Sequence, residues 1–332
     1  MTLFLQDIGA LLMVGLPGPE MDDSTRSLIR ESGVRNFIIF KRNVENPAQL
    51  KKLCAEIIAD CINSGYGRPL ISIDQEGGTV ARLPEPWTQF PDARVLAASE
   101  NPESELSIFA GTCATELLEA GINMNLAPVL DICPAGEGYF MERRSLSGDP
   151  VKAARLGGHV ISEMQKNGLA ACAKHFPGLG SARLDPHLEL PLVGKKADLL
   201  LSEDLLPFRE ACRAGVAAVM TSHTIYQDID PEHPATLSGK ILTGILRENI
   251  GYTGLVITDD LEMGAIENER SVAEAALRSF EAGADLLLIC HDHQKIRETC
   301  AIIHHALASG RVSEKQITDA AARIEKVRHR FA

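Results

Sequence analysis

The chain has no excess of positive charge. Lysine and arginine total 33 against 45 aspartates and glutamates, a formal net charge of −12. Phosphate backbones are held by a basic footprint, so nucleic acid is not an expected partner. The same sign of charge disfavours an anionic membrane surface. Long apolar runs are missing as well, and none reaches the length of a membrane span. The first twenty residues, MTLFLQDIGALLMVGLPGPE, contain apolar residues but no basic stretch ahead of them, and Asp7 interrupts them. They read as coil or a short helix leading into a first strand rather than as a signal peptide. A cytoplasmic protein is expected. Cysteine pairs with C-x-x-C spacing do not occur. The eight cysteines, at 54, 61, 113, 133, 172, 212, 290 and 300, are scattered, several of them inside apolar stretches. They suit small buried hydrophobes in a reducing compartment, not a disulfide framework. No G-x-G-x-x-G follows a strand and there is no P-loop, which removes the signatures of nucleotide-dependent chemistry. Without a low-complexity linker, residues 1–332 read as one domain, and a monomer is the expected state.

What the chain has is a repeated alternation of strand and helix. Hydrophobic residues make up 45% of it, enough for a large core. Eight short apolar runs recur, at 10–16, 36–40, 70–74, 123–132, 169–176, 217–223, 255–260 and 284–290. They lack a clean in–out alternation, as parallel strands buried on both faces do. Helical patterns separate them, for example at 47–65, 149–168 and 271–284, with Gly65, Gly168 and Gly283 where helix C-caps belong. A last helix is predicted from Glu314 to Arg328, opened by a capping box of Ser313 and Gln316. Eight such units predict an α/β fold of the TIM-type (β/α)8 barrel class; an open doubly wound sheet is the alternative.

A barrel places its chemistry at the C-terminal ends of its strands. Polar residues cluster at those ends: Asp74, Asp131, Lys174 with His175, His223, Asp259 with Asp260, and His291. Asp74 is followed by a Gly-Gly turn that can return Arg82 to the same place. It suits two sugar hydroxyls, or equally the capping of a tight turn. Asp185 and His187 lie one residue apart on a glycine-rich loop. A carboxylate beside an imidazole fixes its tautomer and raises its basicity, as a general acid/base needs, although D-x-H is also an ordinary surface pattern. Of the adjacent Asp259 and Asp260, an extended chain can aim only one into a site, and the other suits a helix cap. A carboxylate so aimed can attack an anomeric carbon. Of the neighbouring arginines, Arg143 reads as solvated surface, while Arg144 could meet hydroxyls or an acidic substituent. His223 reads equally as a support for the site or as a satisfied core residue. H-D-H at 291–293 shows no third ligand, so neither metal nor cofactor is expected.

Taken together, these segments resemble the family 3 glycoside hydrolases, in particular the single-domain NagZ-type β-N-acetylglucosaminidases. The matching stretches are D-Q-E-G-G-x-V-x-R at 74–82, NLAPVLDI at 125–132, RS at 144–145, KHFPG at 174–178, D-x-H at 185–187 and TDDLEM at 258–263. The resemblance covers nearly the whole chain. It implies a retaining double displacement with Asp259 as nucleophile and the His187–Asp185 pair as acid/base. It implies that Asp74, Arg82, Arg144, Lys174 and His175 hold the terminal sugar, that Asp131 supports the pocket, and that Met263 lies near the nucleophile. The implied substrate is a small carbohydrate ending in N-acetylglucosamine (GlcNAc), such as a muropeptide of peptidoglycan recycling. Two other functions use the same residues: a phosphorylase with phosphate as acceptor, and a catalytically idle sugar-binding barrel. The second domain of larger relatives, which accompanies β-glucosidase activity, is not expected. Three positions depart from the pattern. Leu179 replaces a histidine at the start of the loop, Pro186 replaces a small hydroxyl residue inside D-x-H and should stiffen it, and Glu262 adds a charge. With no metal expected, turnover should survive a chelator. Activity lost on EDTA treatment would return the H-D-H segment to consideration.

Overall fold

A computed structural model describes residues 7–180, 182 and 190–331. Eight parallel strands, one from each of the eight apolar runs, make its centre: β1 (Leu12–Gly15), β2 (Asn36–Ile39), β3 (Leu70–Ile73), β4 (Met124–Asn125), β5 (Ala170–Phe176), β6 (Ala218–Thr221), β7 (Leu255–Ile257) and β8 (Leu287–Ile289). Every residue in them is buried. This is why no alternation shows in the sequence: helices cover the outer face and side chains fill the inner one. The strands follow the order β7-β6-β5-β4-β3-β2-β1-β8, and a parallel bridge between Ile257 and Leu286 joins the two ends. That bridge closes the barrel and rules out an open sheet.

The closure has a particular chemistry. Leu286 N–H donates to the Val256 carbonyl at 3.1 Å, and Thr258 N–H to the Leu286 carbonyl at 3.0 Å. The next donor, Leu288 N–H, is met by the Thr258 hydroxyl at 2.9 Å instead of by a carbonyl. The chain leaves the sheet at this point.

The predicted helices form, with their polar starts. Asn46 accepts from Gln49 N–H ahead of Pro47–Asn63, Asp149 from Lys152 N–H ahead of Pro150–Lys166, and Ser271 from Glu274 N–H ahead of Val272–Ala282. Each cap satisfies a donor that the helix itself leaves open. Ser313 and Gln316 form the reciprocal capping box, at 2.9 and 3.2 Å. The helix they start runs to Phe331, past the expected end at Arg328, because Val327 and Phe331 are both buried. A small sheet of Leu192–Val193, Ile225–Tyr226 and Asp230–Pro234 lies on the loops after β5 and β6. Its strands are too short and too polar to announce themselves in the sequence.

The Asn125 side chain in the barrel wall is matched at both its oxygen and its nitrogen. Asn125, fully buried at the end of β4, accepts from Gln75 N–H at 3.0 Å and donates to the Gln75 carbonyl at 2.9 Å. Gln75 in turn accepts from the backbone N–H groups of Arg82 and Leu83, at 2.9 and 3.3 Å. The turn that follows β3 is thereby folded back on itself. Asn125→Ala leaves a buried N–H and a buried C=O unpaired. It should cost about 2 kcal/mol, read as a lower urea midpoint; an unchanged midpoint would mean that Asn125 does not fasten the turn.

Candidate active site

The C-terminal ends of the strands meet around a cavity of about 80 Å3. Its polar wall is Asp74, Arg82, Arg144, Lys174, His175 and Asp259; its apolar wall is Val80, Phe140, Met141, Leu179 and Met263. Seven of the ten residues singled out in the sequence therefore share one space: Asp74, Arg82, Arg144, Lys174, His175, Asp259 and Met263. Asp131 sits behind His175. Asp185 and His187, with Pro186 between them, lie outside the described residues.

The polar wall is a charge network. Lys174 is 2% exposed, and its ammonium donates to Asp74 Oδ1 and reaches Glu76 Oε1, both at 2.7 Å. Arg82 comes back across the Gly77–Gly78 turn to donate to Asp74 Oδ2 at 3.0 Å. Gly77 and Gly78 both take positive φ there, and a Cβ on Gly78 would stand 2.1 Å from the Asp92 carboxylate. Arg144 spends its fork on Glu76, with Nε to Oε2 at 2.9 Å and Nη2 to Oε1 at 2.8 Å. Burial on its own would raise the pKa of both carboxyls. The Lys174 and Arg82 cations outweigh it at Asp74, which lies well below the usual carboxylate range. Arg144 and Lys174 do the same at Glu76, holding it at about 2. Burial pulls Lys174 the other way, and the two carboxylates overcome it and raise its pKa.

His175 completes the wall. Its Nδ1 is 2.7 Å from Asp131 Oδ2, and Arg144 Nη2 stands 3.5 Å from its Nε2. A guanidinium only donates, so Nε2 is the acceptor and Nδ1–H points to Asp131. Asp131 Oδ1 accepts from Leu179 N–H at 2.8 Å. Leu179 thus ties the start of its loop to Asp131 through its backbone and turns its side chain into the cavity.

Asp259 stands two residues beyond β7 and faces the cavity, whereas Asp260 faces away. Asp260 accepts from Glu262 N–H at 3.1 Å in a capping turn. Glu262, unexplained in the sequence, is not part of the cavity wall. Its buried carboxylate accepts from the N–H groups of His291 and Asp292, at 2.6 and 3.1 Å, and binds Lys295 at 3.2 Å. It fastens the loop after β7 to the loop after β8. Arg143 is exposed and pairs with Asp92. The H-D-H histidines diverge, His291 towards Asp260 and Arg42, His293 towards Ser24 and the Gly15 carbonyl. Among the described residues no group of three or more His, Cys, Asp or Glu side chains is placed to hold a metal. Nor is any described helix long and apolar enough to cross a membrane.

Glu76, inside the D-Q-E-G-G stretch, joins the network without having been among the expected site residues. Its signal was its spacing: in a chain that continues extended from β3, the residue two after Asp74 points the same way.

The Glycosyl hydrolase family 3 N terminal domain matches residues 4–327. The chain belongs to glycoside hydrolase family 3. A beta-hexosaminidase of Alkalilimnicola ehrlichii is 35% identical over 312 residues, which span 92% of this chain and 87% of that protein. One from Pseudomonas aeruginosa is 36% identical, over 85% of this chain and 82% of its own. Among solved structures, a family 3 beta-N-acetylglucosaminidase from Paenibacillus sp. str. FPU-7 is 39% identical with a TM-score of 0.93. It is matched over 98% of this chain, which spans only 62% of that longer protein. NagZ from Neisseria gonorrhoeae, in complex with N-trifluoroacetyl-D-glucosamine, is 30% identical with a TM-score of 0.78 and is covered nearly end to end, 96% of this chain and 97% of that one. The chain is thus a glycoside hydrolase on a (β/α)8 barrel.

The network has a cost that acid exposes. Glu76 is depressed from 4.5 to about 2, so the stability it lends is complete above pH 4.5 and lost as the pH falls towards 2. Glu76→Gln leaves Arg144 and Lys174 with one buried carboxylate fewer. It should cost about 3 kcal/mol at pH 7 and flatten the decline of the urea midpoint between pH 5 and pH 2. A variant as steep in acid as the parent would remove Glu76 from the network's energetics.

Proposed function

We propose that this family 3 hydrolase is a retaining exo-β-N-acetylglucosaminidase that removes terminal non-reducing GlcNAc from small carbohydrates, peptidoglycan-derived muropeptides in the cytoplasm being the substrate class. The observation that carries the reading is Asp259 facing a cavity whose opposite polar groups, Asp74, Arg82 and Lys174, are already ionised and mutually held. Such a wall binds hydroxyls without reorganising. Among the described residues Arg82 Nε has no hydrogen-bond partner, which leaves one donor for a ligand. The names of the relatives supply the sugar, and the apolar wall of Met141, Leu179 and Met263 suits an acetamido methyl.

In the proposed reaction an Asp259 oxygen attacks the anomeric carbon while His187, oriented by Asp185, gives its proton to the departing glycosidic oxygen. The glycosyl-aspartate is then opened by water, whose proton returns to the same imidazole. His175 and Asp131 hold the sugar side of the pocket and take no proton. No cofactor is needed, the 332 residues act as one catalytic domain, and a monomer suffices.

The purified protein should release 4-nitrophenol from the β-N-acetylglucosaminide and not from the β-glucoside, at a rate indifferent to phosphate. Acceleration by phosphate with a sugar-1-phosphate product would make it a phosphorylase, and silence on both substrates would favour a sugar-binding role. Asp259→Ala should cut turnover by about 1,000-fold or more while GlcNAc still binds by calorimetry. Turnover close to the parent's would take the nucleophile role from Asp259.

A further inference from the structure

The mechanism above leaves two strand-end histidines unused, His223 after β6 and His291 after β8. Both converge on the residue next to the nucleophile. Among the described residues the Asp259 carboxylate accepts one hydrogen bond, from Asp260 N–H to Oδ1 at 2.9 Å. The direction of its other oxygen therefore follows the backbone at Asp260. That backbone is gripped from two sides. His223 Nε2 is 2.9 Å from the Asp260 carbonyl oxygen. A carbonyl only accepts, so Nε2 carries the proton, and Nδ1 lies 2.7 Å from the Thr236 hydroxyl, which also stands 2.9 Å from the Ser222 carbonyl. Thr236 is itself fully buried against Thr221 at 2.7 Å, so the imidazole, 1% exposed, has one available orientation. On the other side Arg42 Nη1 donates to His291 Nδ1 at 3.1 Å, which turns His291 Nε2–H towards Asp260 Oδ2 at 3.3 Å. Arg42 is itself fixed to the carbonyls of Leu16 and Cys290, at 2.8 and 2.5 Å. Burial pushes the pKa of His223 down, consistent with a neutral ring used for its shape and its single donor.

We infer that His223 and His291 are positioning residues that set the attack angle of Asp259 by clamping Asp260 at its carbonyl and its carboxylate, an assignment that rests on the glycosidase reading above. Neither histidine lines the substrate cavity. Their loss therefore moves the reacting oxygen and leaves sugar binding alone, and a misplacement of about 1 Å can slow an enzymatic step about 100-fold.

The test uses the whole chain and 4-nitrophenyl β-N-acetylglucosaminide. His223→Phe keeps a ring and removes the donor; kcat should fall about 10- to 100-fold with KM within about twofold of the parent. His223→Gln restores a donor at similar reach and should recover most of that loss. A packing role would instead penalise the glutamine variant at least as much as the phenylalanine one. His291→Ala, at a half-exposed position where folding is not at stake, should lower kcat several-fold at unchanged KM. Parental kcat in both His223→Phe and His291→Ala, with the parent active, would overturn the clamp and leave the glycosidase reading standing. An equal or larger loss in His223→Gln, or a rise in KM matching the fall in kcat, would also overturn it. A parent protein without activity on this substrate would overturn the reading and the inference together.

Discussion

A lysine ammonium sits in the wall of this barrel almost without contact with water, and much of the pocket is arranged around it. Lys174 stays charged because Asp74 and Glu76 both reach it, and each of those carboxylates needs a second cation, Arg82 for one and Arg144 for the other. Three cations and two carboxylates from β3, β4 and β5 are thereby interlocked, since removing any one strands another in a medium that solvates it poorly. The arrangement adds little to stability compared with apolar packing. What it supplies is a set of donors and acceptors already fixed in direction when a sugar arrives. The backbone is drawn into the same device: Gln75 and Asn125 fold the turn after β3 so that Arg82 meets Asp74, and Asp92 receives the glycine turn that permits it.

The barrel could be read from the sequence because its signal is repetitive. Eight buried parallel strands leave eight apolar runs, and several helix starts carry capping residues, Asn46, Asp149 and Ser271 among them. That polar residues would gather at one mouth was also legible, since strand ends are where a barrel keeps them, and seven of the ten expected residues share the cavity. Alternation alone left Asp259 and Asp260 as a choice between two, since it says that one faces in but not which, and the family resemblance pointed to Asp259. Glu76 escaped notice because a glutamate in a glycine-rich turn looks like solvated surface until Arg144 and Lys174 are seen to converge on it from strands distant in sequence. Glu262 stood out only as an added charge, for a related reason: its partners are backbone N–H groups of another loop, and backbone groups have no signature in a sequence. The small sheet beside β5 and β6 had no period long enough to register.

Thr258 carries a consequence for how such a site tolerates change. A closed barrel must keep its hydrogen bonds around the full circumference, yet the chain leaves the sheet after Ile257 on its way to Asp259 in the cavity wall. The Thr258 hydroxyl meets both demands by standing in for the carbonyl that the departing backbone withdraws from Leu288. Barrel closure and delivery of the Asp259 carboxylate are thus one structural event at a single residue. Variation there is confined to side chains that can accept a hydrogen bond within one bond of Cβ, which leaves serine as the nearest neutral exchange. Valine, equal in shape, would unfasten the seam and the Asp259 carboxylate in the same step.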